Sequence, residues 1–329
     1  MREVAAAAQV SVGTVSNVLN APEKVAPATV ERVHAAIDRL GFVRNDAARQ
    51  LKAGRSRCVG LVVLDIGNPF FSDVARATQS RAADHDLVVL LGSSDDDPRR
   101  ERRYLDTFDE QRVSGLMITP AGHDHARLVA LHQRGMPVVL VDRDGHGTPF
   151  SSVAVDDIAG GDLAVRHLCA LGRRRIAVVG GPATLPQVAD RRLGARRAAA
   201  DHSGVDLTLI DTPAPTVLAG REAGERLAGL PAGERPDAVF CVNDLLAIGV
   251  LQALTLRGIA VPDEVALVGY DDIDFAQSAV VPLTSIRQPR AEIGSSAIDL
   301  LVAAANSGGG EPEHICYRPA LIERASTGQ

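Results

Sequence analysis

From residue 59 onward the chain keeps returning to one device, a short apolar run that ends in polar residues. VGLVVLD (59–65), LVVLLGS (87–93), GLMITP (115–120), PVVLVD (137–142), RIAVVGG (175–181), AVFCVND (238–244) and VALVGYDD (265–272) are the clearest cases. A strand that is apolar on both faces must be covered on both faces. When helix-length segments separate such strands, the result is a parallel sheet with helices on each side. Sheets of this kind bind ligands beyond the carboxyl ends of their strands. Polar residues gather there: Asp65 with Asn68, Asp142 with Arg143, Asn243 with Asp244, and Asp271 with Asp272.

The first 57 residues follow another plan. REVAAAAQ predicts a short first helix. Ser11 is placed to cap a second through Asn20, with Val15, Val18 and Leu19 inward. Pro27 suits the first position of a third helix running to Leu40, with Val30, Val33, Ile37 and Leu40 inward and Gly41 closing it. Two short helices on a tight connection, covered by a third, make the helix-turn-helix plan. Residues 1–57 carry a net charge of +4, so the rest of a chain of net charge −6 sums to −10. A basic head on an acidic body predicts a module that meets an anion.

EVAAAAQVSVGTVSNVLN, followed by VAPATVERVHAAIDRLGFVRNDAARQL, resembles the DNA-binding head of the LacI/GalR family of bacterial transcription regulators. The resemblance implies that the second helix enters the major groove. Val12, Gly13 and Asn17 would then face bases, Ser11, Thr14 and Ser16 would touch phosphates, and Asn20 would belong to the same surface. It also implies a hinge helix over Asp46–Lys52, capped by Asn45, whose Leu51 wedges into the minor groove between Arg49 and Lys52. A helix of that length is marginal alone in water, so two copies meeting over DNA would stabilise it.

The sequence departs from the family pattern in several places. Gln9 replaces a turn glycine, Ala26 a capping serine and Arg44 a proline; the chain opens directly on the first helix, without the residues that usually cap it. Asn17 stands where arginine is usual. Arginine pairs best with guanine, whereas asparagine makes a bidentate contact to adenine N6/N7, so a different operator base is expected under it.

The resemblance extends over the body through DIGNPFF, VDRD, HLCALGRRRIAVVGGP, DRRLGARRA, VNDLLAIGVLQAL and PLTSIRQP. It implies two similar α/β lobes, as in periplasmic sugar-binding proteins, with crossings near 157, 286 and 316. The domains expected are a head at 1–44, a hinge at 45–57 and an effector-binding and dimerisation body at 58–329. Lobe one would take about 58–156 and 286–315, and lobe two about 157–285 and 316–329. Carried over by motif, the effector pocket comprises Asn68, Phe70, Phe71 and Arg143 from the first lobe. Gln187, Arg191, Asn243 and Asp271 come from the second. Their donors and acceptors suit a neutral or mildly polar ligand, sugar-like or nucleoside-like. Pro215 occupies a place where relatives often present an aromatic ring, so stacking would fall to Phe70 and Phe71.

Nothing else in the sequence assembles a reaction centre. GGP at 180–182 lacks the spacing of a dinucleotide fingerprint, no phosphate-binding GxxxxGK[ST] or GxSxG elbow occurs, and HDH at 123–125 is no metal motif. No catalytic residues, cofactor or metal are expected. The four cysteines have no ligand or disulfide spacing and read as buried thiols in a reducing compartment. No apolar run reaches a membrane span, and MREVAAAAQVS lacks a signal core. The expectation is a cytoplasmic, homodimeric, ligand-responsive repressor of a palindromic double-stranded DNA operator. A solute-binding protein and an α/β enzyme acting on a small carbohydrate are the alternatives.

Overall fold

The computed structural model describes residues 1–42, 56–122, 125–307 and 310–328. The chain divides into two compact units, Met1–Arg55 and Ser56–Gln329.

In the first unit, helices α1 (Arg2–Ala8), α2 (Val12–Asn20) and α3 (Pro27–Leu40) enclose a small core of Val4, Ala5, Ala8, Val15, Val18, Val33 and Ala36. Ser11 caps α2 as expected, its Oγ accepting from the Thr14 amide at 3.0 Å. Gln9 takes the left-handed conformation after α1, at φ 52°, and Gly41 does so after α3, at φ 56°. The glutamine therefore carries a backbone strain that glycine would not. Ala26 supplies no side-chain cap. Leu40, expected inward, is 44% exposed and Ala36 is buried instead. Helices of seven and nine residues are too short to cover the last turn of one of fourteen.

The second unit holds two six-stranded sheets. The first is built from β1 (Cys58–Val63), β2 (Val88–Ser93), β3 (Leu116–Ile118), β4 (Val138–Val141), β5 (Ser151–Val155) and β11 (His314–Tyr317). Its order is β11-β5-β4-β3-β1-β2, all parallel. The second contains β6 (Arg175–Val179), β7 (Asp206–Ile210), β8 (Ala238–Cys241), β9 (Ala266–Asp271), β10 (Thr284–Arg287) and β12 (Ala320–Ile322). Its order is β12-β10-β9-β8-β6-β7, with only β12 antiparallel. Helices α4 (Pro69–Ala83) and α12 (Arg290–Ser307) pack together on the first lobe. On the second, α7 (Asp157–Ala170) packs on α8 (Pro186–Ala200), and α9 (Val217–Ala228) on α10 (Asp244–Leu256).

The first crossing between lobes follows β5, near the expected position. The other two come slightly later than 286 and 316. Ile286 and Arg287 still pair with Tyr270 and Asp271 in the second sheet, and Cys316 and Tyr317 with Ala154 and Val155 in the first. Each strand runs to the end of its ladder before the chain leaves. The strands without apolar runs lie at or next to sheet edges (β5, β7, β11, β12), or use buried hydroxyls as β10 does. Of the cysteines, Cys169 and Cys241 are buried, Cys58 is half-buried and Cys316 is exposed on the edge strand β11. Among the described residues no helix is long and apolar enough to cross a membrane.

Two glycines set the spacing of α7 and α8. A Cβ on Gly161 would lie 1.9 Å from the Arg191 carbonyl oxygen, and one on Gly194 would lie 1.9 Å from that of Ile158. Backbone meets backbone, so no side chain can yield. Gly194→Val is expected to cost about 2 kcal/mol or more of unfolding free energy in urea titrations. An unchanged midpoint and slope would contradict this close packing.

Candidate functional site

The head presents one face of α2. Val12, Gly13, Asn17 and Asn20 are exposed along it, with Ser11 at its start, while Thr14 and Ser16 are half-buried. Val12 is 44% exposed, unusual for valine but suited to a thymine methyl group. The Asn17 side chain has no hydrogen-bond partner among the described residues, so its amide is open to an incoming edge. Asn20 differs, since its Nδ2 donates to Ser16 O at 2.7 Å and Ser16 Oγ at 3.2 Å, tying it into its own helix. Ser11 Oγ and Thr14 Oγ1 are 2.9 Å apart. Arg49, Leu51 and Lys52 lie outside the described residues.

In the body, seven of the eight expected pocket residues line one cavity of about 60 Å3 between the lobes: Asn68, Phe70, Phe71, Gln187, Arg191, Asn243 and Asp271. Asn68 sits at the amino end of α4, its Oδ1 accepting from the Phe70 amide at 3.0 Å. The rings of Phe70 and Phe71 meet edge to face, 5.0 Å apart. Asn243 caps α10 through the Leu246 amide and donates Nδ2 to Pro215 O at 2.9 Å. The residue standing where relatives often have a ring therefore takes the asparagine's amide through its backbone.

Arg191 is the hub. Its Nε donates to Asp157 Oδ1 at 2.7 Å and its Nη1 to Val242 O at 2.7 Å. Nη1 also lies 3.7 Å from Asp271 Oδ1, and the guanidinium stands 3.6 Å over the Tyr270 ring. Tyr270 in turn donates its hydroxyl to Asp157 at 2.7 Å. Asp271 has φ 103°, a conformation that side-chain-bearing residues seldom adopt, and its Oδ1 accepts from Gln288 Nε2 at 2.7 Å. Across the cleft, Gln187 Nε2 donates to Asp142 Oδ2 at 2.8 Å, a direct bond between lobes. Asp142 Oδ1 and Gln187 Oε1 are buried without a partner.

Arg143 does not line the cavity. It donates Nη2 to Pro120 O at 3.2 Å, while its Nε and Nη1 are buried and unpartnered. Asp142 takes the lining position. Its place in the strand-end cluster was a signal for it. Asp157 and Gln288 give no such signal, since their side chains fold in from other elements, and Tyr270 lies within the apolar run of β9, ahead of its polar end. The space left is far below the ~300 Å3 of an ordinary ligand pocket, because these polar groups satisfy one another. A roomier groove of about 760 Å3 opens elsewhere, between α12 and the start of β4, but alanines and prolines contribute much of its lining.

Residues 1–45 match the model for bacterial regulatory proteins of the lacI family, and residues 165–327 match that for a periplasmic binding protein-like domain. The chain is 31% identical to the HTH-type transcriptional regulator DegA of Bacillus subtilis, over 99% of this chain and 97% of that protein. It is 32% identical to the ribose operon repressor of Escherichia coli, over 99% of each. The Lac repressor dimer bound to operator and the anti-inducer ONPF superposes with a TM-score of 0.84 at 26% identity, covering 98% of this chain and 97% of that one. A transcriptional regulator CelR–cellobiose complex gives 0.72 at 30% identity, covering 99% and 98%.

Carboxylates outnumber cations in the cleft. Burial pushes the Asp142 carboxyl up to about 7, with Asp157 adding to it and Arg191, Gln187 and Arg143 opposing. Burial likewise pushes Asp271 up to about 6, against Arg191 and hydrogen bonds from Gln288 and Asn68. Both acids bind protons more tightly folded than unfolded, where the ordinary value is near 3.8. Their contribution to stability is complete below that value and is lost as pH rises through 6 and 7. The unfolding free energy is expected to fall from pH 5 to 7.5, and Asp142→Asn to flatten that slope. An unaltered slope in urea titrations of the variant would show that Asp142 is ionised throughout.

Proposed function

The chain belongs to the lacI family of bacterial regulatory proteins, and on that premise we propose that it represses transcription from a palindromic operator under the control of a small effector. The observation carrying this reading is a helix-turn-helix whose α2 leaves Asn17 uncommitted, on the same chain as a two-lobed body with a polar cleft. One head offers few contacts, so two copies related by a two-fold axis read the site. Asn17 selects an A·T pair where an arginine would select guanine. Ser11, Val12, Gly13, Thr14 and Ser16 complete the surface, with Asn20 supporting it. Arg49, Leu51 and Lys52 act in the hinge.

The effector is a neutral, hydroxyl-rich molecule, sugar-like or nucleoside-like, returned unchanged by a protein that is not an enzyme and works in the cytoplasm. Relatives carrying ribose in their name or cellobiose in their structure favour the sugar. Asn68, Phe70, Phe71, Gln187, Arg191, Asn243 and Asp271 hold it, with Asp142 beside them and Arg143 behind. A sugar enters only by parting Gln187 from Asp142, so it biases the lobes between two arrangements. A few kcal/mol of differential affinity suffices to change DNA binding.

Selection from a random duplex library by the full-length protein is expected to yield a palindrome, with an A·T preference that relaxes in Asn17→Ala. No enriched site would overturn the repressor. Leu51→Ala is expected to weaken operator binding about tenfold or more while sparing effector affinity. Thermal-shift titration with ribose, cellobiose and adenosine should give a stabilisation lost in Asp271→Ala. Equal stabilisation of that variant would remove the cleft as the effector site.

A further inference from the structure

The ligand cleft does not account for three arginines that line a second cavity, of about 290 Å3, against two of the three crossings between lobes. Arg287 ends β10 in the second lobe, Arg290 begins α12 in the first, and Arg318 lies in the last crossing, between β11 and β12. Their donors are only partly used. Arg287 commits Nε to Asp272 Oδ2 at 2.6 Å, and its side chain is 52% exposed. Arg290 commits Nη1 to Asp73 Oδ2 at 2.7 Å, and its Nη2 lies 3.9 Å from Asp274 Oδ1. Arg318 is exposed and has neither ion pair nor hydrogen bond among the described residues. Glu292 is the one carboxylate in the lining. The lining itself carries three cations to that one carboxylate, while Asp272 pairs with Arg287, and Asp73 and Asp274 pair with Arg290, from outside it.

A second observation gives the ligand its chemistry. Gln288, 1% exposed, lines the same cavity; its Nε2 is held by Asp271, and its Oε1 has no partner. Guanidinium forks match the oxygens of a tetrahedral oxyanion, and a lone amide oxygen calls for one hydroxyl beside them. Hydrogen phosphate and phosphate esters of polyols supply both. Sulfate supplies only the oxygens.

We propose that this cavity binds a phosphate group, free or esterified, as a second ligand site separate from the cleft. The anion would tie Arg287 of one lobe to Arg290 and Arg318 of the other connections. Gln288 would join it to Asp271 on the cleft floor. The proposal does not depend on what the cleft itself binds.

The test is calorimetric titration of the full-length protein with inorganic phosphate, with sulfate and with ribose 5-phosphate, ionic strength being balanced with chloride. Saturable phosphate binding is expected, tighter than that of sulfate. Arg318→Glu should weaken it about tenfold or more, with an unchanged melting temperature in phosphate-free buffer. Ribose 5-phosphate binding more tightly than phosphate, with the same dependence on Arg318, would identify an ester as the ligand; equal binding would identify free phosphate. No saturable heat, or binding indifferent to Arg318→Glu and so an adventitious ion only, overturns the proposal.

Discussion

A guanidinium buried as deeply as Arg191 stays charged only if carboxylates and carbonyls surround it. Asp157, Asp271 and the Val242 carbonyl do so, while the Tyr270 ring covers one face. These partners come from α7, from β9 and from the end of β8. The second lobe's side of the cleft is thereby fixed around one residue. The close approach of α7 and α8 at Gly161 and Gly194 carries Arg191 to within reach of Asp157. Removing Arg191 would leave buried carboxylates facing one another; removing Asp157 would strand the cation.

The same crowding bears on what the cleft could accept. Asp142, Asp157 and Asp271 already exceed the positive charge that Arg191 supplies, so an anionic ligand in the central cavity would meet further repulsion. A neutral molecule rich in hydroxyls can replace the bonds it breaks. It can donate to Asp142 Oδ1 and Gln187 Oε1, both without protein partners. The Gln187–Asp142 bond closes the cleft on itself, and under the proposed function a ligand would have to part it, which would supply the second state that a switch requires. Anion binding at the arginine-lined cavity would act on the same equilibrium through Gln288.

The head meets the opposite requirement. Its core is small, and α2 spends its apolar residues inward, which leaves a face of short polar and aliphatic groups exposed. Asn17 and Asn20 lie on that face with the same side chain and different freedom. The amide of Asn20 is taken up by Ser16, whereas that of Asn17 is not. Strain accepted at Gln9 leaves the turn between α1 and α2 intact, because neighbouring backbone bonds hold it.

Local patterns carried much of this protein in the sequence. Doubly apolar runs forced parallel sheets, and every such run became a strand; Ser11, Pro27 and Gly41 marked helix ends through bonds to residues beside them. The motif order named seven residues that the fold brings to one cavity, because strand ends converge whenever parallel strands share a sheet. What the sequence could not place was decided by contacts among residues far apart in the chain. Leu40 lies outside because its neighbours are short, β5, β7, β11 and β12 exist because a ladder was waiting for them, and Arg143 stands behind the cavity while Asp142 enters it. Tyr270, Asp157 and Gln288 joined the site by the same route. Periodicity and capping are written in neighbouring residues and need only the local chain. Which buried charge meets which partner depends on the packing of whole elements, and the tertiary structure alone decides that.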